Sequence, residues 1–553
     1  MLKKIIVGCL GLGISLFVMG SASANTIPVG GGCGLIDAIN AANTDSVVGG
    51  CPAGSGADTI TLGPAATYVL TNPYSGQDGL PAITSTIYMM GNGSTITRTP
   101  SAPLFRLMTI DPTGALYLSN ITLSGGEVGG YPEVGGGIKN AGYLELINSN
   151  ILFNKAWRGG GIALEIWEDM VTKPNIYVEK SLISNNSAEV GGGISIYTHM
   201  VVYMNWPDQI SVISDSIISN NVALSYSGGG LDTRDSNVSL INSSFISNSA
   251  ASYGGAIASE SRLTITNGYI QNNSALNGGG LGVSYFGGQI LKTVFDGNSA
   301  NNGGAIYAAN DINSGNSLHF WQSIVTGNSA KNAGAGIYVG RFSNYSVPLA
   351  KDILVEIEDS VFKKNYLIGY PTFGGAVYND GRVEIENSTL FQNAGFLGGA
   401  IFNRSQFTGT HLTIADNSTT GGAIFYHLTG TLTIRNSLAW KSTATNDCIG
   451  TTGVTGSGNL SNSANCPIFT QSSSLNLGPA GNYGGNTETI PLLAGSSAID
   501  SADQAYCLPT DQRGYPRPVD GDGNGVRACD IGAYEYYRQN FLPNAMRDFS
   551  STW

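Results

Sequence analysis

The chain has 553 residues, of which 77 are Gly, with 42% hydrophobic and only 12% charged. That apolar share excludes a charge-rich disordered polymer, and 20 Pro without a three-residue glycine period exclude a collagen-like helix. With 26 Lys and Arg against 38 Asp and Glu the net charge is −12, which argues against nucleic acid or an anionic membrane surface as partner.

Lys3 and Lys4 precede a short apolar run that is broken by Gly8, Gly11 and Gly13 and closes on Ala22-Ser23-Ala24. Residues 1–24 therefore read as a cleavable signal peptide, which implies a secreted or cell-surface protein with no transmembrane span in the mature chain. Six cysteines follow in three local groups: Cys33 with Cys51, Cys448 with Cys466, and Cys507 with Cys529. An even count in an exported chain favours disulfides. Six cysteines allow 15 connectivities, and the nearest-neighbour scheme closes three short loops, each worth about 3 kcal/mol in the chain-entropy model. Leu35, Ile36, Ala38, Ile39 and Ala42 give an apolar face to a helix over 34–43, suited to covering the first turn of a larger body.

From there a glycine-rich tetrapeptide returns, ending at Ile138, Ile162, Ile194, Leu231, Ile257, Leu281, Ile306, Ile337, Val377, Ile401 and Ile424. The basic period is about 24 residues. Each anchor is followed at one phase by an apolar-x-x-Asn motif, at Asn154, Asn186, Asn221, Asn248, Asn273, Asn298, Asn328, Asn365, Asn393 and Asn417. Short β-branched runs between Gly and Asn corners fit one coil of a parallel β-helix with three strands per coil. Its asparagines would stack into a hydrogen-bonded ladder along the axis. The expected fold is all-β, a right-handed parallel β-helix with a short N-terminal capping helix and a small disulfide-stapled closing segment. The expected divisions are residues 25–83 for the cap and first coils, 84–445 for the repeats, 446–535 for the closing domain and 536–553 for a tail.

The repeats resemble those of polymorphic outer-membrane proteins. CGLIDAINAAN at 33–43 resembles the CSLREAI-type segment of exported bacterial β-helix proteins, departing from it at Gly34, Ile36 and Asp37. LLAGSSAIDSAD, CLPTDQRGYPRP and CDIGAYEY resemble a choice-of-anchor Q domain. The resemblance implies an exported surface protein and supplies no catalytic set. The tail is too short for an outer-membrane barrel of eight strands of about ten residues.

Four features bear on chemistry. Asp520, Asp522, Asn524 and Gly525 match the first half of an EF-hand loop, and Asp530 falls at position 11, which makes Ca²⁺ the expected cofactor; an Asx-rich turn is the alternative. Four coils, from Ile162, Ile194, Ile306 and Ile337, carry insertions in one interval, with Trp167, His199, Tyr203, Trp206, His319, Trp321, Phe342 and Tyr345, so one side of the rod would bear them. Just after the last anchors stand Tyr307, Tyr338, Tyr378, Phe402 and Phe425, an outward aromatic column able to hold sugar rings or, alternatively, to pack under a loop. Asp232, Arg234, Asp235, Glu260 and Arg262 fall on adjacent coils and hold the residue types a polysaccharide lyase needs, or a plain surface ion-pair cluster. The four histidines share no metal-like spacing, and no GxSxG or P-loop motif is present. The sequence thus points to a monomeric, adhesin-like binder of polysaccharide or of a cell-surface glycan or protein. The alternative is a polysaccharide lyase or glycoside hydrolase acting on a long, acidic chain.

Overall fold

The structure, a computed structural model, describes residues 25–166, 175–198, 210–284, 286–310, 317–341, 353–441, 446–450, 453–462, 466 and 468–538. The signal-peptide expectation and most of the tail lie outside them. The chain winds into a parallel β-solenoid of about 12 turns. One coil shows the pattern: strands Ile138–Asn140, Tyr143–Ile147, Asn150–Leu152 and Lys155–Arg158 form four successive faces. The fourth face corrects the expectation of three strands per coil; its strands are so short and polar that the hydrophobic pattern does not reveal them. Each strand pairs in register with the next coil, as in Ile138 opposite Ile162, Leu144 opposite Ile176, Ile151 opposite Ile183 and Ala156 opposite Ala188. Alternation sends Ile, Leu, Val and Phe into one continuous core and leaves the intervening side chains for the surface.

The corners explain the repeat. Asn273 is fully buried; its Nδ2 donates to Asn298 Oδ1 at 3.0 Å and to the Phe245 carbonyl at 2.9 Å, and its Oδ1 accepts from Asn248 N and Nδ2 at 2.8 and 3.1 Å. The same ladder joins the asparagines from Asn154 to Asn417, and their Nδ2 groups meet buried backbone carbonyls such as those of Ile151, Ile183 and Ile218. At the corner between the fourth and first faces Gly254 has φ +62°, and a Cβ on Gly255 would lie 2.3 Å from the Gly279 carbonyl oxygen. Both glycines are therefore required by geometry.

Helix Leu35–Thr44 buries Leu35, Ala38, Ile39, Ala41 and Ala42 against the first coil, and the Cys33–Cys51 disulfide ties its start to the chain beyond its end. Cys448–Cys466 and Cys507–Cys529 are the other two bridges. Strands Asn446–Ile449, Val454–Ser457 and Leu460–Ser461 pair with the preceding coil, so the solenoid runs past residue 445 to Gln471, a coil that lacks the glycine and Asn markers.

The segment that follows lies along the rod's flank. Leu475, Leu477, Ile490, Leu492, Ile499 and Ile531 pack on Val361, Phe391, Ala415 and Leu438, which belong to successive coils. Polar contacts repeat the pattern: Lys363 pairs with Glu488 at 2.7 Å, Thr389 Oγ1 donates to Gln512 Oε1 at 2.6 Å, and Asn436 Nδ2 donates to the Asp503 carbonyl at 3.0 Å. Buried His411 is held well below its ordinary pKa by burial and by Arg517, whose Nη1 lies 2.5 Å from His411 Nδ1. A neutral Nδ1 can accept that bond, so the closing segment docks on a neutral imidazole.

Candidate functional site

The insertions fall in one interval of the coil: first-face strands end at Ile166, Thr198, Asn310 and Arg341, and second-face strands begin at Asn175, Ser211, Ser317 and Leu354. Trp167, His199, Tyr203, Trp206, Phe342 and Tyr345 lie outside the described residues. His319 and Trp321 belong to the second-face strand Ser317–Trp321 rather than to an insertion, and Trp321 Nε1 donates to Asp359 Oδ2 at 3.1 Å.

Beside that interval, Glu165, Tyr197, Arg234 and Glu260 stand in one outward column on four successive coils. Arg234 Nε donates to Glu260 Oε2 at 2.6 Å. The Arg158 guanidinium reaches in from the fourth face and lies 4.1 Å from the Tyr197 ring centroid and 4.8 Å from that of Trp157, while Arg234 lies 5.3 Å from Tyr197. Trp157 packs edge-on against Tyr131, which is 77% exposed. Arg158 Nε is buried and has no hydrogen-bond partner among the described residues, and its nearest acid, Glu165, is 3.9 Å away. Two arginines and three aromatic rings thus share one solvent-facing patch, with positions fixed by coil register.

Asp232 sits two residues before Arg234 on the same face and accepts from Ser227 Oγ at 2.7 Å. Burial pushes its carboxyl up to about 6, against the pull of the Ser227 bond and Arg158. Burial also raises Glu165, with Arg158 opposing, and raises Asp235, which occupies the left-handed region at φ 53° where the column breaks register between Arg234 and Asn237. Because of that irregularity Arg262 pairs with Asn237 and stands exposed, without an ion pair to these acids among the described residues; the expected five-residue cluster is therefore four plus a separate arginine. The sequence reading missed Trp157, Arg158, Glu165 and Tyr197. The last two, like Arg234 and Glu260, fall three residues after an anchor, so the same alignment contains them; Arg158 lies on the unread fourth face.

The aromatic column forms, with one change of member. Tyr307, Tyr338, Tyr378 and Phe402 stack at centroid separations of 4.8, 4.7 and 5.4 Å, and Tyr426, not Phe425, continues the stack at 5.1 Å. Phe425 pairs with Ile401 and is 1% exposed in the core, because the last coil is shifted by one residue against its glycine tetrapeptide. In-register stacking covers each ring face with the next ring, and Tyr307, Tyr378 and Phe402 are buried. A sugar cannot lie on a face already taken by another ring, so this column is packing.

In the closing segment, carboxylate oxygens of Asp500, Asp520 and Asp522 lie within 4.8 Å of one another. Asp500 was not legible in the loop motif, being 20 residues before it in the chain. Asp530 is buried elsewhere, accepting from Asp500 N at 2.7 Å and from Tyr536 N, and burial beside Glu535 raises its pKa well above the usual carboxylate range. Asn524 turns its side chain inward to the loop, donating to Asp522 Oδ2 and accepting from Val526 N. Neither Asn524 nor Asp530 therefore joins the triad.

Residues 242–260 and 292–309 match the Chlamydia polymorphic membrane protein repeat. Each stretch spans one ladder asparagine and one glycine anchor. No curated protein matches the chain. Among solved structures, the crystal structure of pectate lyase Pel9A is similar at 12% identity, covering 87% of this chain and 88% of that one, with a TM-score of 0.26. The three disulfides suit an oxidising compartment. No described helix is long and apolar enough to cross a membrane.

Proposed function

We propose that the chain is an exported, adhesin-like β-helix protein that binds a glycan or a cell-surface partner through Trp157, Arg158, Tyr197 and Arg234. The observation that carries this reading is Arg158, a guanidinium lying over two aromatic rings with its Nε unpaired among the described residues, next to the interval that holds the insertions. Such a group offers directional donors to carboxylate or hydroxyl oxygens, and the rings offer apolar surface beside it. The closing segment's resemblance to a choice-of-anchor Q domain belongs to the same reading. Replacing both Arg158 and Arg234 by Ala is expected to weaken retention on the responsive glycan or cell surface at least ten-fold with an unchanged thermal midpoint. Unaltered retention would sink the proposal.

A second reading is favoured by Asp232. A carboxyl pushed up to about 6 beside a Glu260 engaged by Arg234 is the kind of pair that divides acid and base roles, as needed to cleave a polysaccharide. If Asp232 is the acid, turnover measured as new chain ends falls as pH rises through about 6 and vanishes in Asp232→Asn, while binding persists.

We also propose that Asp500, Asp520 and Asp522 take Ca²⁺. All three already accept backbone N–H bonds, so the loop holds its shape by itself and the ion adds to it. Ca²⁺ is expected to raise the thermal midpoint of the chain, and Asp500→Asn to remove that rise; an unchanged midpoint leaves the Asx-rich turn.

A further inference from the structure

At the corner between the third and fourth faces, every coil from Phe153 to Lys441 places one residue in the left-handed region. The occupants after Phe153 are Asn185, Asn220, Ser247, Asn272, Gly297, Gly327, Lys364, Gln392, Asp416 and Lys441, all small, polar or flexible. Phe153 alone in this column is aromatic, with φ 56° and 62% of its surface exposed. A bulky ring at positive φ is disfavoured on the backbone, and its exposure returns nothing to the core, so packing does not explain it.

Phe153 lines a surface cavity of about 360 Å³ together with Arg98, Glu127, Lys155, Asn185 and Ser187. The preceding coil carries Gly125 at the same corner, in register with Phe153, so no side chain from that position fills the space. Arg98 is nearly fully buried and donates to Glu127 Oε2 at 2.8 Å, and Lys155 Nζ lies 3.5 Å from the other oxygen of Glu127. Two cations thus share one carboxylate, which leaves a single positive charge among the charged lining groups.

We propose that this cavity is a glycan subsite that takes one pyranose ring bearing a carboxylate. The ring's apolar face lies on Phe153, its hydroxyls meet Asn185, Ser187 and Glu127, and its carboxylate meets Lys155. The inference rests on the glycan-binding reading, but it uses none of that site's residues.

The test uses the full chain with glucuronic acid, N-acetylneuraminic acid and glucose as probes in ligand-detected NMR. The unaltered chain is expected to bind at least one acidic sugar more tightly than glucose. Phe153→Asn, which installs the column's ordinary residue, is expected to weaken that binding ten-fold or more and to keep or raise the thermal midpoint. No binding of either acid, preference for glucose, or equal binding by Phe153→Asn overturns the proposal. If Phe153→Asn retains the sugar while the Arg158 and Arg234 double variant loses glycan, this subsite fails and the first-face reading stands. The reverse pattern separates them the other way.

Discussion

Asn273→Ala is expected to destabilise the protein by about 3–5 kcal/mol, measured by urea unfolding. The substitution removes both donations of Asn273, leaves Asn248 N buried without its acceptor and takes from Asn248 Nδ2 one of its two, the Ile218 carbonyl remaining. Each buried polar group left unpaired costs about 1–3 kcal/mol, and a coil in a solenoid has only its two neighbours to absorb the defect. Asn273→Asp is nearly isosteric and is expected to be at least as damaging, because a second oxygen would replace Nδ2 against Asn298 Oδ1 and the Phe245 carbonyl. A loss below about 1 kcal/mol for both variants would show that the ladder is redundant with the strand hydrogen bonds.

The second large effect is expected at Asp511. Its side chain is fully buried; Oδ1 accepts from Arg513 N and Tyr515 N at 2.9 and 3.0 Å, and Oδ2 from Arg513 Nε, Arg513 Nη2 and Glu535 N at 2.8, 2.6 and 3.0 Å. Asp511→Ala strands a guanidinium and three backbone N–H groups in the interior, a loss of about 3–5 kcal/mol by analogy with other broken buried pairs. The damage should fall on the closing segment, since Asp511 touches no ladder residue. Limited proteolysis is expected to cut between residues 472 and 535 while the β-sheet circular dichroism of the rod persists. Retained protease resistance in that segment would show that the apolar contacts with Val361, Phe391, Ala415 and Leu438 hold it without the ion pair.

Much of the fold was legible because a solenoid writes each coil's constraints into the chain at a fixed phase. The ladder asparagines, the glycine corners and the helix at Leu35–Thr44 each answer a local demand, so residue type and spacing suffice to find them. What escaped depended on events outside the period. One extra residue before Phe425 turned a column member into core, and no glycine marks that shift. The patch around Tyr197 was hidden because Arg158 comes from a face with too few apolar residues to read as strand. Asp500 approaches Asp520 and Asp522 through the closing segment's own path, which no repeat governs. The buried network of Asp511, Arg513, Arg517 and Glu535 shows why the closing motif is rich in charge: these residues hold the segment's own turns and its seat on His411.

The flank position of residues 472–538 changes how the rod bears load. A bare solenoid pulled from one end can surrender one coil at a time, since each coil is bonded only to its neighbours. Here a single length of chain crosses the coils that carry Lys363, Thr389, Thr413 and Asn436, like a lath nailed across stacked boards. Those coils must part together or not at all, whereas the coils before them remain free to peel singly.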